Sequence, residues 1–178
     1  MGAVGRGPED RFNDFVRAHT ASLFRTGYLM VGDYQRAEDL LQATLVRVYQ
    51  RWSRVEAMDR PVAYARKILV HQATAWWRRP SSHESPVLVL ADRGWDGGLE
   101  GVPEHQRVWQ AVLSLPRRQR AVMVLKYYED LSEAEIAETL GVAVGTVKSS
   151  GHAAAKRLAE LLSEPAPSSA QPTGEAAS

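Results

Sequence analysis

The chain of 178 residues contains no cysteine. Disulfides and thiolate metal sites are therefore excluded, which suits a reducing compartment. Long apolar runs are missing as well, since none approaches the ~18 residues that argue for a membrane-spanning helix. The opening MGAVGRGPED has no apolar stretch of the kind a signal peptide needs. Arg6 also stands where a myristoylation signal calls for Ser or Thr. These absences lead to the expectation of a cytoplasmic protein with no membrane insertion. Spacings that carry chemistry are missing too. His19, His71, His83, His105 and His152 are scattered with no H-x-x-x-H pair, and the glycines of GAVGRG follow no strand. No Ser, His and Asp set can be assembled from spacing. An enzyme is the least supported class, and neither metal nor cofactor is expected.

What is present begins with a charge pattern. The net charge of +1 conceals two basic blocks joined by an acidic strap. Residues 10–79 hold 12 Lys/Arg against 7 Asp/Glu, residues 80–104 hold one basic residue against five acids, and residues 105–162 hold eight against six. Basic blocks separated in this way point to an anionic partner that the average charge would not suggest.

Apolar periodicity places helices. Phe12, Phe15, Val16, His19, Leu23 and Tyr28 share a face over residues 10–30. Gly32-Asp33 marks a break, with Asp33 as an N-cap. Ala37, Leu40, Leu41, Leu45, Val48 and Trp52 recur at three- and four-residue steps and predict one helix over residues 34–54. A third helix starts near Pro61, a residue suited to a first turn, and runs to residue 79 with Ala65, Ile68, Leu69, Ala75 and Trp76 inward. Residues 80–103 carry three prolines and four glycines and read as an extended linker. Within it Val87 to Leu90 could make a short strand that has nothing to pair with. Further helices are expected near residues 105–113, 116–128, 132–140 and 144–162. The Pro-, Ala- and Ser-rich residues 163–178, like residues 1–9, are expected to be disordered. The predicted fold class is thus all-α: two small helical domains, residues 10–79 and 105–162, joined by an extended acidic linker. Each is near the lower size limit for an independent core.

Three segments carry functional signals. Ser132 and Glu135 make a capping box, Gly141 permits a tight turn, and Ala137 and Val147 sit where two crossing helices would meet. This is the spacing of a helix-turn-helix, although an ordinary helical hairpin uses similar caps. Thr146, Lys148, Ser149, His152 and Lys156 would lie on its outer side, able to bond base edges and phosphates. The second segment, residues 60–79, contains Arg60, Arg66, Lys67, Arg78 and Arg79 and no acid. Tyr64, Trp76 and Trp77 are interleaved with those charges, as single-stranded DNA requires of a surface that tracks phosphates and stacks on bases. Trp76 is expected in the core, leaving Tyr64 and Trp77 as stacking candidates. The third, residues 33–52, presents Arg36, Glu38, Asp39 and Gln42 on one polar turn, which by composition is a solvated face with local ion pairs.

Taken together, AEDLLQ (residues 37–42), RPVAYARKILVHQ followed by WWRR (residues 60–79), and LPRRQRAVMVLKYYEDLSEAEIAETLGVAVGTVKS (residues 115–149) resemble the extracytoplasmic-function type of bacterial sigma factor. The resemblance covers residues 10–79 and 105–162 in order. It implies that Glu38, Asp39, Leu41 and Gln42 meet the clamp helices of the largest subunit of core RNA polymerase. The loop 56–60 and the helix with Tyr64, Arg66, Lys67, His71, Trp77, Arg78 and Arg79 would hold the melted −10 element. The linker would thread toward the active-site cleft. Thr146, Lys148, Ser149, His152 and Lys156 would meet the −35 element, with the polymerase flap region and an anti-sigma factor as further partners. The chain departs from the family pattern at three places. His71 replaces a frequent Asn, and Ala143 replaces a Ser cap. Val147-Lys148-Ser149-Ser150-Gly151-His152-Ala153 stands where the family commonly has Val-Lys-Ser-Arg-Leu-His-Arg. An interior glycine costs about 1 kcal/mol relative to alanine, and a lost cap about 1 kcal/mol more. The expectation is that −35 binding is weak, or needs the polymerase or another factor to hold the unit in place. The competing classes are a one-component helix-turn-helix regulator, which would need an effector pocket or dimer face, and a helical adaptor, against which the basic blocks speak.

Overall fold

The computed structural model describes residues 7–77 and 103–163. The linker, the strand considered at Val87 to Leu90, Arg78, Arg79 and both chain ends lie outside the described residues. Those described form helices and turns without a strand.

Helix α1 spans Pro8–Val31. Proline occupies its first turn, and Asp10 reaches back to accept from the Gly7 amide at 3.2 Å. It ends because Gly32 turns left-handed at φ 75°, a region open to glycine without steric cost. The Asp33 carboxylate then accepts from the Arg36 amide at 2.8 Å and starts α2, Tyr34–Tyr49. The expected single helix to residue 54 is broken. Arg51 leaves helical geometry at φ −124°, ψ 20°, and the chain restarts as a single turn, α3, Trp52–Val55. The break lets the Trp52 ring enter an aromatic cluster, its centroid 5.2 Å from those of both Phe12 and Phe15. Helix α4, Pro61–Trp77, buries Ala65, Leu69, Val70, Ala73 and Thr74. Ala75, expected inward, is exposed. Helices α1, α2 and α4 converge at Gly27, where an added Cβ would lie 3.7 Å from the Ala37 carbonyl oxygen and from Leu69 Cδ1.

In the second unit α5, Pro103–Ser114, precedes α6, Arg117–Met123, which runs directly into a π turn at Val124–Tyr128. The Glu129 amide bonds to the Val124 carbonyl five residues back at 3.1 Å, and Asp130 follows at φ 53°. Helix α7, Glu133–Leu140, opens on the predicted capping box and closes at Gly141, φ 65°. Helix α8, Val144–Ser163, continues through Gly151 without interruption. Ile136, Ala137, Val147 and Ala154 turn inward where α7, α8 and α6 meet.

The sequence suggested two separate cores. Instead one cluster crosses between the units, joining Tyr28 to Val31, Ala37, Val70 and Ala73 with Val112, Leu113, Val122, Leu125, Ile136 and Val147. Only the cluster around Phe15, Val48, Trp52 and Leu69 stays within the first unit. Helix α1 lies on α6 and the π turn, while α4 lies on α7. Units this small leave much apolar surface uncovered when alone, and docking covers it.

Candidate nucleic-acid interface

The helix-turn-helix presents its outer face to solvent. Lys148, Ser149, His152 and Lys156 are exposed on α8, and Thr146 is half-buried beside them. Residues 148, 152 and 156 fall at four-residue steps, hence on one side of the helix. The Ser149 hydroxyl donates back to the Thr146 carbonyl at 3.1 Å, and Lys148 lies 4.0 Å from the Glu133 carboxylate. No side-chain oxygen stands at Ala143, whose carbonyl accepts from the amides of Thr146 and Val147 at 2.9 and 3.2 Å. A Cβ at Gly151 would point to Val122 Cγ1 of α6 at 3.5 Å. The glycine thus faces the protein interior, not the DNA side.

The basic helix α4 is arranged differently from expectation. Tyr64 is packed against the first unit's core and its hydroxyl accepts from Arg51 at 3.2 Å. Trp77 is half-buried against the shared cluster, and Trp76 lies at the same margin under the guanidinium groups of Arg36 and Arg117, 4.5 and 5.1 Å from its centroid. Tyr64 and Trp77 are both only partly exposed. The basic side chains, meanwhile, face carboxylates of the second unit. Arg66 forms an ion pair with Glu129, whose other oxygen accepts from the Thr26 hydroxyl. Lys67 donates to Glu138 at 2.7 Å. Burial pushes the Glu129 carboxyl up, opposed by Thr26 and Arg66. Glu138 is held low by its bond from Lys67, with His71 adding a smaller effect. Glu135 is held low first by Ser132 and further by Arg60. Arg66 and Lys67 therefore meet the acidic edge at Glu129 and Glu138, while Arg60 and His71 act on Glu135 and Glu138 only as smaller electrostatic influences. Sequence reading missed this edge. A capping glutamate such as Glu135 and an ordinary surface glutamate such as Glu138 carry no local sign of a distant partner.

A second unforeseen residue is Arg120 on α6. It is only 2% exposed, and its Nε and Nη1 have no hydrogen-bond acceptor among the described residues. Burial, assisted by Arg117, lowers its pKa to about 10.

On α2, Glu38, Asp39 and Gln42 are exposed within one turn. Leu41, expected beside them, is 4% exposed and belongs to the core; the helical period turns it 100° from Gln42 and inward. A groove of about 680 Å³ between α2 and α4 borders this turn, lined by Arg36, Asp39, Arg47, His71, Gln72 and Trp76 among others.

A helix-turn-helix carried beside a basic helical unit defines a two-part DNA-binding protein. Comparison with known proteins gives its family. Residues 15–82 match the family profile Sigma-70 region 2, and residues 105–158 match Sigma-70, region 4. The chain is 35% identical over 151 residues to the RNA polymerase sigma-E factor of Streptomyces coelicolor, covering 85% of each chain. To the RNA polymerase sigma-E factor of Streptomyces antibioticus it is 35% identical over 159 residues, covering 89% of this chain and 88% of the relative. The chain belongs to the sigma-70 family of RNA polymerase sigma factors, with relatives of the extracytoplasmic-function type such as SigW of Bacillus subtilis at 28% identity over 176 residues, covering 89% of this chain and 92% of SigW. The fold is shared with the sigma factor RpoE of Bartonella quintana, solved in complex with the anti-sigma factor NepR. The TM-score is 0.65 at 24% identity, covering 85% of this chain and 96% of that one.

Proposed function

We infer that the chain is an alternative sigma factor that binds core RNA polymerase, reads −35 and −10 promoter elements and assists melting, with no covalent chemistry of its own. The observation that carries this reading is the match to region 2 and region 4 in that order, the second falling on the exposed helix-turn-helix. The division of labour follows the sequence: residues 10–79 as the polymerase- and −10-binding unit, 80–104 as linker, 105–162 as the −35 unit. Glu38, Asp39 and Gln42 would meet the polymerase clamp helices, with Leu41 bracing them from beneath. Arg60, Arg66, Lys67 and His71, together with Arg78 and Arg79, would hold the melted strand, and Tyr64 and Trp77 would stack only after rearrangement. Lys148, Ser149, His152, Lys156 and Thr146 would enter the −35 major groove. The setting is cytoplasmic, and an anti-sigma factor is a further partner.

The test is purified chain added to core polymerase with a genomic promoter library. Promoter-directed transcripts that fall with Gln42→Ala, and fall less with Lys148→Ala because −35 binding is weak, are the expected result. A dimer binding duplex operator equally well without polymerase would instead identify a one-component regulator.

A further inference from the structure

We propose that Arg11 and Arg51 are positioning residues for the loop 56–60. Each holds one shoulder of it through a side-chain bond, so that the loop meets the melted −10 strand in a fixed shape. The proposal rests on the sigma-factor reading, which gives this loop to the −10 element, and adds the residues that set its base selectivity.

The first shoulder is held from α1. Arg11 Nε donates to Glu56 Oε2 at 2.8 Å and its Nη2 donates to Glu56 Oε1 at 3.2 Å, across 45 residues of chain. A two-pronged contact of this kind fixes direction as well as distance. Packing brings the pair together. The ring of Phe12, the next residue along α1, lies 4.9 Å from that of Tyr49 and 5.2 Å from that of Trp52. The Glu56 amide in turn bonds to the Trp52 carbonyl at 2.8 Å. The second shoulder is held from the break between α2 and α3, where Arg51 Nη1 donates at 3.2 Å to the hydroxyl of Tyr64 in the first turn of α4.

Between its shoulders the loop has little of its own to hold it. Among the described residues its backbone bonds end at the Met58 amide, which reaches the Val55 carbonyl at 3.0 Å. They resume at the Ala63 amide, 3.1 Å from the Arg60 carbonyl. Ala57, Asp59 and Arg60 are exposed. Such a loop samples several shapes unless its ends are fixed, and a strand that fits one shape binds in proportion to that shape's population. Arg11 also offsets the Glu56 charge, which would otherwise repel a phosphate backbone. An ion pair this exposed adds little to folding stability, so its effect falls on the shape of the loop.

Of the four methionines, Met58 alone lies in this loop. Its labelled methyl signal, identified by its loss in Met58→Leu, reports loop motion in the free chain through NMR relaxation. Arg11→Ala is expected to increase that motion, while the signal of the fully buried Met30 stays unchanged. Arg11→Lys, which keeps the charge but loses the fork, should increase it less, and Arg11→Glu combined with Glu56→Arg should return it to the wild-type level. Promoter recognition is read with core polymerase on promoters recovered with the wild-type chain and randomised over the −10 element. There Arg11→Ala and Arg51→Ala should each lower the preference for the best base by about tenfold at one or more positions. Capture by core polymerase and the urea midpoint should stay at wild-type values. Unchanged Met58 motion in Arg11→Ala, unchanged base preference in either variant, or a lost preference that the Arg11–Glu56 exchange does not restore overturns the proposal. So does a loss of preference matched by an equal loss of core capture, which marks a merely structural role. Absence of promoter-directed transcripts with the wild-type chain refutes the sigma-factor reading instead, and Met58 relaxation then still decides whether Arg11 holds the loop.

Discussion

Gly151 interrupts the sequence pattern of α8 but not the helix, and Gly151→Ala measures what that costs. Glycine inside a helix is about 1 kcal/mol less favourable than alanine, chiefly through backbone entropy in the unfolded chain. The position can take the methyl group. An added Cβ meets Val122 Cγ1 at 3.5 Å, ordinary van der Waals contact, and nothing closer. Partial burial of that methyl contributes a further fraction of the ~0.8 kcal/mol that a fully buried CH2 is worth. The substitution should therefore stabilise by about 1–1.5 kcal/mol, raising the melting midpoint by roughly 3–5 °C for a chain of this size. Urea unfolding followed by circular dichroism, with unchanged m-value, is the assay. Ala153→Gly, at an exposed site two residues on, should lose about 1 kcal/mol and serves as the mirror control. If Gly151→Ala destabilises while Ala153→Gly behaves as stated, the α6–α8 contact is too tight for a methyl and the reasoning fails.

Restoring a cation by Ala153→Arg should steepen the salt dependence of holoenzyme binding to promoter DNA by about 0.9 in log–log slope, since one more phosphate is neutralised; an unchanged slope would place residue 153 off the DNA. Leu41→Ala should cost about 2–5 kcal/mol in urea unfolding as a core deletion. Gln42→Ala should stay within about 0.5 kcal/mol of wild type and instead weaken capture by core polymerase in a pull-down titration. Stability should also respond to pH. The Glu129 carboxyl, faced by Arg66 from α4 and Thr26 from α1, is raised in the folded chain by burial. Its protonation therefore favours the folded chain, and the contribution of Glu129 to stability in urea unfolding should rise as pH falls from neutral toward the ordinary carboxylate range. Glu138, held low by Lys67, acts in the opposite sense only below that range. Glu129→Gln should remove the slope above it.

Local chemistry was readable residue by residue. Asp33, Ser132 with Glu135, and Gly141 stop or start helices through bonds within four residues, so their roles follow from spacing alone. The outward face of α8 was legible for the same reason, since a helix period fixes it once Val147 is inward. The break at Arg51 was not, because the Trp52 ring is drawn by Phe12 and Phe15 some 40 residues earlier in the chain. Leu41's burial, by contrast, was legible from the apolar period it shares with Ala37, Leu45 and Val48, and that period conflicts with the polymerase contact the resemblance implied for it. The docking of the two units was hidden most fully. Its ion pairs join residues 66 with 129 and 67 with 138, and each member has an unremarkable neighbourhood in sequence.

The π turn at Val124–Tyr128 has a consequence for how this molecule is tuned. One residue beyond α-helical register rotates everything after it by about 100°, and here that rotation delivers Glu129 to Arg66 instead of to solvent. The backbone offset works as a gear between α6 and the acidic edge. Deleting a single residue from this turn would reset the gear and swing the carboxylate away while leaving every charged side chain in the protein. The contact between the two units thus depends on counting amides, not on changing charges.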